Sequence, residues 1–600
     1  MDNEKMEAAL NLARSEPESL REKSDILDAG YDQEQDSWEV IIKYNGDLAQ
    51  DLPRGIELEP LIAGYGILTI PASLFENVPP SPWIEYAELP KRLYFEQGLS
   101  GEEAAEGYSP SDFLRSFSFS EKGTAEGLSS LSGEGVLVAV IDSGIDYTLP
   151  NFRHKNGSTR IAALWDQTLT PDAQNPPPEG FRQGKLYTSG DINAALQRPF
   201  PQEILPSVDT SGHGTAVAGI AASGAVGGEY AGMAPESDLL IVKLGNPSDR
   251  GFPRTTELMR ALTFAARFAL ERNQPLSVNL SFGNSYGSHN GTSLLERFID
   301  NVAEIGRNVI CVGTGNEGLS GGHYSGRLTE GMTTVVEISV APYEASLSIQ
   351  LWKNYVDDYA IWLIAPDGGT VFLGPEQYGK VESRLGRTRV LGFFGQPTPY
   401  STSQEIFFDL LPEDYYIDEG VWRIRIEPAA IRNGYFYLYL PVASTRNQGT
   451  RFMNPSQEMT LTIPSTAAKT IAVSAYHPGF DTFADFSGRG AAFWDHFQER
   501  SNIGAVRPTL SAPGTDILAP MPQGGYGRFK GTSFAAPFVA GAAALLMEWG
   551  ILRGHDYFLY GEKLKAGLIR AAKPLPGVEE YPSSKTGYGR LSLKEAAFEG

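Results

Sequence analysis

Three short segments of the chain carry side chains capable of nucleophilic catalysis. In the segment Val138–Asp146, Asp142 directly follows the apolar run Val138–Ile141 and is itself followed by a glycine turn. Open α/β sheets place their sites at the carboxyl ends of strands, although helix caps and turns use aspartate as often. His213 stands between two glycines in front of a predicted small-residue helix, and Ser533 begins the Ala-rich helix of Gly531–Gly541.

The surroundings of these residues suit catalysis but do not require it. Glycines beside His213 allow its ring to approach another backbone closely, and Ser211 is a candidate N-cap for its helix. The helix start at Ser533 offers free N–H groups that favour an oxyanion, and we expect Pro537 in the first turn of that helix. Each segment alone is equally consistent with a structural role.

Together, and in the order Asp, His, Ser, the three segments resemble the subtilisin-like serine proteases, or subtilases. The resemblance implies that Ser533 is the nucleophile, His213 the general base and Asp142 the group that orients the imidazole. Gly313–Gly318 resembles the oxyanion-hole segment of the family, which implies that Asn316 donates from its side chain. Asp146 lies near Asp142, and we expect a structural role for it.

The resemblance also predicts the substrate cleft. Asn279–Gly283 resembles the strand that lines the cleft in subtilases, and together with the segment before Asn316 it defines the cleft residues. These are mostly small and predict a cleft open at its edge without naming a preferred side chain: Ser281, Phe282, Gly283, Gly313, Thr314 and Gly315. The similarity covers roughly residues 105–325 and 460–600.

A narrower resemblance rests on shorter phrases. Leu164–Thr168, Ser281–His289 and Pro90–Phe95 resemble the clostridial Csp-type germination proteases. These carry an N-terminal prodomain and a jelly-roll domain between the oxyanion asparagine and the serine. The resemblance implies that the prodomain lies with its tail in the cleft. For a true germination protease it also implies an inactive spore-cortex hydrolase as substrate, whereas a related gut clostridial enzyme with another target would show the same sequence features.

Membership in that group also implies self-processing. We expect a cut within Tyr94–Ser100, with the bond after Gln97 as the candidate, and the processing region comprises Phe95, Glu96, Gln97 and Gly98. The alternative is a plain docking domain that is never released.

The elements that must position these residues follow from hydrophobic patterning. Apolar strands alternating with helices predict an α/β fold of the subtilisin-like kind, a parallel sheet flanked by helices. We assign residues 1–37 to a polar, mobile or loosely docked arm, 38–97 to an α+β prodomain, and 98–330 and 461–600 to the catalytic domain. Within it, the Gly-, Ser- and Glu-rich residues 98–130 suit an exposed linker. Short alternating strands predict an inserted all-β jelly-roll sandwich over 331–460.

Composition excludes several classes of function. The net charge of −24 disfavours nucleic acid and anionic lipid as partners, and no apolar run approaches the ~20 residues that span a bilayer. The single cysteine, Cys311, excludes internal disulfides and is expected to be a buried thiol rather than a second nucleophile. No signal peptide is recognisable, which predicts a cytoplasmic or spore-associated protein, or release without a signal.

Three further expectations concern ligands and alternatives. No cofactor is required; calcium is conceivable at Asp357-Asp358 and Glu413-Asp414, although surface carboxylates explain such pairs more simply. The principal partners are a protein or peptide substrate and the protein's own prodomain, and the oligomeric state stays open. The alternative function is a catalytically silent subtilase-fold sensor or scaffold. A binding role for the β block is compatible with either, but we expect its aromatic residues to pack in its core: Trp352, Trp362, Trp422, Tyr435, Tyr437 and Tyr439.

Overall fold

The protein is described from a computed structural model covering residues 3–76, 78, 81–95, 106–118, 130–226, 230–247, 252–491 and 506–594. The chain forms three units. A prodomain comes first, and a catalytic domain follows in two chain segments with a β-sandwich inserted between them. The described residues of the catalytic domain contain the predicted alternation of apolar strands and helices.

The prodomain is an antiparallel sheet covered by short helices. Its strand order is β1-β2-β4-β3, with β5 also paired to β2. Trp38 and Phe75 stack at 4.0 Å between ring centroids in its core, and both are fully buried. Its elements are α1 (Ala8–Ser15), α2 (Glu18–Arg21), β1 (Tyr31–Asp32), β2 (Ser37–Tyr44), α3 (Leu48–Asp51), β3 (Glu57–Pro60), β4 (Tyr65–Pro71), α4 (Ala72–Phe75), β5 (Ile84–Glu88) and β6 (Tyr94–Phe95).

The prediction of a loosely docked arm over residues 1–37 is wrong for the described residues 3–37. Helix α1 buries Leu10 and Leu12 completely, and β1 pairs with β2. The hydroxyl of Ser24 donates to Asp409 of the sandwich at 2.6 Å. The polar composition of this segment conceals one apolar helix side, and that side is sufficient to join the segment to the prodomain core.

The first catalytic segment contributes the central strands. Its elements are α5 (Pro110–Ser118), β7 (Leu137–Asp142), β8 (Ile161–Asp166), β9 (Lys185–Thr188), α6 (Ser189–Leu196), α7 (His213–Ala222), β10 (Asp238–Lys243), α8 (Thr255–Glu271), β11 (Leu276–Leu280), β12 (Phe282–Gly283), α9 (Leu294–Val302) and β13 (Asn308–Gly313). Part of the predicted linker is docked rather than exposed, because Phe113 of α5 is buried and the Tyr108 N–H donates to the Asp516 carbonyl.

The insertion is a two-sheet antiparallel sandwich. One sheet has the order β14-β23-β16-β21-β20-β19 and the other β18-β17-β22-β15-β24. Because β14 pairs with β23, the sandwich begins at His323, before the predicted start at residue 331. Its strands are β14 (His323–Arg327), β15 (Thr334–Val340), β16 (Leu347–Asn354), β17 (Asp358–Ile364), β18 (Thr370–Leu373), β19 (Gly379–Leu385), β20 (Thr388–Phe394), β21 (Ser403–Pro412), β22 (Gly420–Ala430), β23 (Tyr435–Tyr439) and β24 (Arg451–Phe452).

Core packing accounts for most of the aromatic residues singled out in the sandwich. Trp422 is fully buried, and Trp352, Tyr437 and Tyr439 are buried in a small cluster of their own. Trp362 and Tyr435 are half-buried, and the Arg425 guanidinium lies 4.2 Å from the Trp362 ring centroid.

The second catalytic segment completes the main sheet. Its elements are β25 (Ile471–His477), β26 (Thr482–Phe483), β27 (Leu510–Pro513), β28 (Ile517–Pro520), β29 (Tyr526–Phe529), α10 (Thr532–Met547) and α11 (Gly561–Ala571). The sheet order is β26-β25-β13-β11-β7-β10-β8-β9, with β27 beside β25, and its inner strands are parallel. Helices α7 and α10 cover one face, and α8 and α9 cover the other.

The expectation that no apolar run approaches a bilayer-spanning length is wrong for one stretch of the described residues, since the helical stretch Thr532–Leu552 is long and apolar enough to cross a membrane by length and composition. Its most apolar window is 89% buried within the protein, and α10 contacts the central strands of the sheet. The apolar character of this stretch is therefore explained by its place in the core.

Candidate active site

Asp142 is the last residue of the central strand β7 and is completely buried. Its Oδ1 accepts the backbone N–H of Ser143 at 2.7 Å and lies 2.7 Å from Nδ1 of His213. A buried carboxylate in this contact fixes the orientation of the imidazole, because the ring nitrogen that faces it carries the proton. The aspartate and histidine that the sequence predicted as partners are thus brought together.

His213 is the first residue of α7, and two glycines shape its approach. Gly212 occupies the N-cap position with φ +74°, a left-handed conformation that glycine adopts without strain. The prediction that Ser211 is the N-cap residue is wrong. Its hydroxyl nevertheless accepts the His213 N–H at 3.2 Å. The helix start is therefore held from one residue further upstream.

A second carboxylate, Asp209, holds this helix start, and the sequence analysis missed it. Its Oδ1 accepts hydrogen bonds from the hydroxyls of Ser143 and Ser211, at 2.9 and 3.1 Å. Its Oδ2 accepts the N–H and hydroxyl of Thr215, at 2.8 and 2.7 Å. Asp209 therefore joins the loop after β7 to the first turn of α7, where a negative charge is favourable. Its position four residues before His213 was the available signal.

Ser533 is the second residue of α10 and is buried. Its Oγ donates to the carbonyl of Ser281 at 3.1 Å, and the Ser281 hydroxyl donates to the carbonyl of Ser533 at 2.9 Å. The predicted position of Pro537 in the first turn is wrong, since Pro537 is the sixth residue of α10. Proline has no N–H to reach the Ser533 carbonyl four residues earlier, and Ser281 satisfies that carbonyl instead.

His213 packs against Phe534, the residue that follows Ser533 in the chain. The His213 and Phe534 rings lie 5.3 Å apart between centroids. Phe534 follows Ser533 directly in α10, so the imidazole lies against the helix turn that presents the serine hydroxyl.

Asn316 lies just beyond β13, next to the start of α10. Its Oδ1 accepts the Thr532 N–H at 3.1 Å, which leaves the amide nitrogen as the donor end. That nitrogen borders Gly531, where a β-carbon would lie 3.2 Å from it. The Gly315 N–H donates to the Thr532 hydroxyl at 3.1 Å, so hydrogen bonds at two consecutive residues hold Asn316 against the helix start.

The predicted cleft residues divide into two groups. Phe282 and Gly283 form the short strand that pairs with the end of the prodomain, and Ser281 directly precedes it. Thr314 is fully buried and extends the sheet pairing, with its N–H donating to Val473 and its carbonyl accepting from Thr462. Gly313 packs on Thr532, because a β-carbon at position 313 would lie 3.1 Å from atoms of Thr532. Gly313, Thr314 and Gly315 therefore support the site through close packing and backbone hydrogen bonds.

The end of the prodomain lies in the cleft. Strand β6 pairs antiparallel with β12, Phe95 opposite Phe282 and Tyr94 opposite Gly283. The Phe95 ring is 5.6 Å from the His213 ring and 6.2 Å from the Phe282 ring. The other processing residues, Glu96, Gln97 and Gly98, lie outside the described residues.

The remaining candidate groups have structural surroundings. Asp146 accepts from Thr148 and from the Gln523 N–H at 2.8 Å, which supports its predicted structural role. Burial raises the pKa of the Cys311 thiol far above its usual range, which disfavours a thiolate nucleophile. Asp357 accepts three backbone N–H groups of the turn at 432–434. Among the described residues no group of three or more His, Cys, Asp or Glu could hold a metal ion.

This fold and site define the class of protein. The subtilase family model matches residues 133–366 and 418–589, more than half of the chain, and the protein belongs to the subtilase family. A model of the Csp protease B prodomain matches residues 4–91, which agrees with the docked N-terminal segment of the structure.

Individual relatives narrow the resemblance. The structure of the Clostridium perfringens CspB protease is similar to this one with a TM-score of 0.69 and 35% identity, over 77% of this chain and 92% of that chain. The PII-type proteinase of Lactococcus lactis subsp. cremoris is 24% identical over 473 residues, and the minor extracellular protease Vpr of Bacillus subtilis is 24% identical over 515 residues. These matches cover 72% and 78% of this chain, but only 23% and 52% of those proteins. The chain thus spans about a quarter of the length of the lactococcal proteinase.

Proposed function

We propose that this protein is a serine endopeptidase that cleaves its own prodomain and then protein or peptide substrates. The observation that carries the proposal is the Nδ1–Oδ1 contact of 2.7 Å between His213 and Asp142, beside a buried serine at a helix start. The prodomain strand that ends at Phe95 lies against the same histidine, so the chain itself supplies the first substrate.

The mechanism follows from the positions of the side chains. Ser533 Oγ attacks the substrate carbonyl while His213 takes its proton at Nε2, and Asp142 stabilises the resulting imidazolium through Nδ1. In this structure the hydroxyl donates to the Ser281 carbonyl, so it must turn toward His213 before attack. His213 then gives the proton to the leaving amine, and water releases the acyl group by the same steps in reverse order.

The oxyanion is stabilised by two donors. The Asn316 side-chain amide borders the helix start, and its carbonyl oxygen is held by the Thr532 N–H. The Ser533 N–H at the beginning of α10 is the second donor, reinforced by the positive end of the helix dipole. Because both donors are fixed before substrate binds, little reorganisation is needed as charge develops on the oxygen.

The register of the prodomain strand favours one bond for self-cleavage. Ser281 touches Ser533 and directly precedes Phe282, the pairing partner of Phe95. The residue after Phe95 in sequence is therefore the one we expect to present its carbonyl to Ser533. This favours the bond after Glu96 over the bond after Gln97 within the predicted region Tyr94–Ser100.

Mass spectrometry of the purified full chain tests the proposal. Wild-type protein should yield two fragments produced by cleavage of one bond within Tyr94–Ser100. The Ser533→Ala variant should stay intact when no other protease is present. A fluorophosphonate probe should label Ser533 in the wild type. A cut that persists in Ser533→Ala would contradict self-processing, and failure to label the folded wild-type protein would support the silent-sensor alternative.

A further inference from the structure

The last described residues of the prodomain, 91–95, lie between two edges of the cleft and show how an extended peptide is held there. On one side Tyr94 and Phe95 pair with β12. On the other side the Leu93 N–H donates to the Pro253 carbonyl at 2.7 Å. Backbone pairing of this kind holds a strand in register but does not select its side chains. Any selectivity of the cleft must therefore come from the side chains that this tail presents to it.

Two phenylalanine rings contact the catalytic imidazole. Phe534 belongs to α10, and its ring centroid lies 5.3 Å from that of His213. Phe95 belongs to the tail, and its ring centroid lies 5.6 Å from that of His213 and 6.2 Å from that of Phe282. These separations are those of favourable aromatic contacts. An aromatic side chain at this position of a bound strand therefore contacts both the general base and the wall of the cleft.

A second aromatic contact lies one residue earlier along the tail. Tyr94 is buried, and its ring centroid lies 4.7 Å from that of Phe252. Phe252 directly precedes Pro253, so the backbone contact of the tail holds Tyr94 against this ring. Phe252 is still 49% exposed with the tail bound. Its exposure would increase once the tail leaves, which favours another apolar ring in the place of Tyr94.

The two residues before this pair do not report on the cleft in the same way. Leu93 is completely buried, but the core cluster that includes it also contains Ile41 of the prodomain. The Arg92 guanidinium lies 3.3 Å from the carboxylate of Asp25, which is another prodomain residue. A substrate bound without the prodomain would lack both of these contacts.

We propose that the cleft selects protein segments with two consecutive aromatic residues shortly before the bond to be cut, and that Phe252 and Phe282 determine this specificity. The specificity presupposes the peptidase activity proposed above. The second aromatic residue takes the place of Phe95 between His213 and Phe282, and the first takes the place of Tyr94 on Phe252. All of these cleft residues belong to the catalytic domain, so they remain available to a substrate after the tail has left.

Hydrolysis of quenched fluorescent peptides by the self-cleaved protein tests this specificity. The parent peptide has the sequence of residues 91–100, which contains every candidate bond of the processing region. Phe95→Ala and Tyr94→Ala peptides should each show kcat/KM lower by about tenfold, and Phe95→Leu should lie between, because leucine is apolar but has no ring. The Arg92→Gln peptide is the matched control and should change kcat/KM little, since Asp25 is not part of the cleft.

Variants of the enzyme assign each preference to its contact. Phe252→Ala should reduce the loss caused by Tyr94→Ala in the peptide and keep the loss caused by Phe95→Ala. Phe282→Leu should do the reverse. Phe480→Ala, at a phenylalanine that is 83% exposed in the turn between β25 and β26, is the control and should keep both preferences.

Self-cleavage provides a second measurement that does not need an empty cleft. During cell-free synthesis of the full chain, Phe95→Ala should slow the appearance of the prodomain fragment by about tenfold. Phe95→Tyr should restore most of the rate because it keeps a ring, and Phe480→Ala should cleave like the wild type.

The outcomes separate this specificity from the activity on which it depends. Equal kcat/KM for the parent, Phe95→Ala and Tyr94→Ala peptides, or a normal rate of self-cleavage in Phe95→Ala, would overturn the specificity and leave the peptidase function intact. Preferences that persist unchanged in Phe252→Ala and Phe282→Leu would also overturn it. A wild-type protein that neither hydrolyses the peptide, nor cleaves its own chain, nor reacts with a fluorophosphonate would instead contradict the proposed function itself.

Discussion

Gly214 packs so closely on Gly144 that a β-carbon at position 214 would lie 2.2 Å from the Gly144 carbonyl oxygen. The same β-carbon would lie 3.2 Å from Asp142 Oδ1. No other residue type fits at position 214 without moving the turn after β7 or the start of α7. The contact between His213 and Asp142 therefore depends on a residue that has no side chain.

Gly214→Ala should reduce kcat strongly and lower the melting temperature, because the added methyl group must push α7 away from β7. Gly479→Ala is the matched control, since nothing lies within 4 Å of its β-carbon position. Peptide hydrolysis and thermal unfolding measured on both proteins check this. Normal activity in Gly214→Ala would show that the turn yields without moving the histidine.

Asp142→Asn should lower kcat roughly 10⁴-fold while the fold is kept, because the amide no longer selects the histidine tautomer. Asp172→Asn, at an exposed aspartate, should leave kcat unchanged. The measurement is hydrolysis of a fluorogenic peptide, with circular dichroism to confirm folding. A loss below tenfold would mean that Asp142 does not orient the base.

Asn316→Ala should lower kcat by about two to three orders of magnitude with little change in KM, because the donor acts on the oxyanion rather than on bound substrate. Asn316→Asp should lose at least as much activity. It keeps the acceptor for the Thr532 N–H but brings a negative charge to the developing oxyanion. An increase in KM alone would place Asn316 in ground-state binding instead.

A buried ion network joins the prodomain to the catalytic domain. Glu39 lies 2.8 Å from Arg254 and 2.5 Å from Arg260, and Glu59 lies 2.6 Å from Arg260. Burial alone would raise the pKa of Glu39, but the two arginines lower it to about 2. Glu257 also contacts both arginines, at 2.8 Å from Arg254 and 3.6 Å from Arg260, so each arginine keeps another carboxylate partner when Glu39 is removed.

Glu39→Gln should lower the free energy of unfolding by about 1–3 kcal/mol in denaturant titrations, because buried hydrogen bonds to the two guanidinium groups are weakened. Glu57→Gln provides the control, because its partner Arg182 also spans the two units and both side chains are more than half exposed. We expect a change below about 1 kcal/mol there. Equal effects of the two substitutions would contradict the importance of burial.

The link between Ser24 and Asp409 should make stability depend on pH. Burial, with a contribution from Asp25, raises the pKa of Asp409 to about 7, above the ~3.9 of an unfolded aspartate. The folded protein therefore binds a proton more tightly than the unfolded chain. This contribution to stability is fully present below about pH 4 and is lost as the pH rises through about 7.

Asp409→Asn should stabilise the protein at pH 8 and change little at pH 4, because asparagine can still accept the Ser24 hydroxyl without a charge. Melting temperatures across pH 4–8 measure this, with the exposed Asp414→Asn as control. Some pH dependence should persist, since the pKa values of Glu88 and Glu405 are also raised. Destabilisation at pH 8 would show that the folded protein favours the charged carboxylate, which contradicts a raised pKa for Asp409.

Local patterning predicted the strands of the catalytic sheet because continuous apolar runs have few other uses in a chain of this composition. It failed at residues 3–37, where one apolar helix side is hidden among acidic residues. It also misplaced Pro537, because the carbonyl that proline leaves unpaired is satisfied by Ser281, a residue far away in the chain.

The subtilase motifs can be recognised from the residues alone, since Asp142, His213, Asn316 and Ser533 each stand in a short segment whose neighbours are characteristic. How these residues are held depends on tertiary contacts. The hydrogen bond between Asp209 and Ser143, the close contact of Gly214 with Gly144 and the register of Phe95 on Phe282 all join segments distant in sequence. Such contacts leave no periodic signal in the chain, because each depends on which surfaces of separately formed elements are brought together by folding.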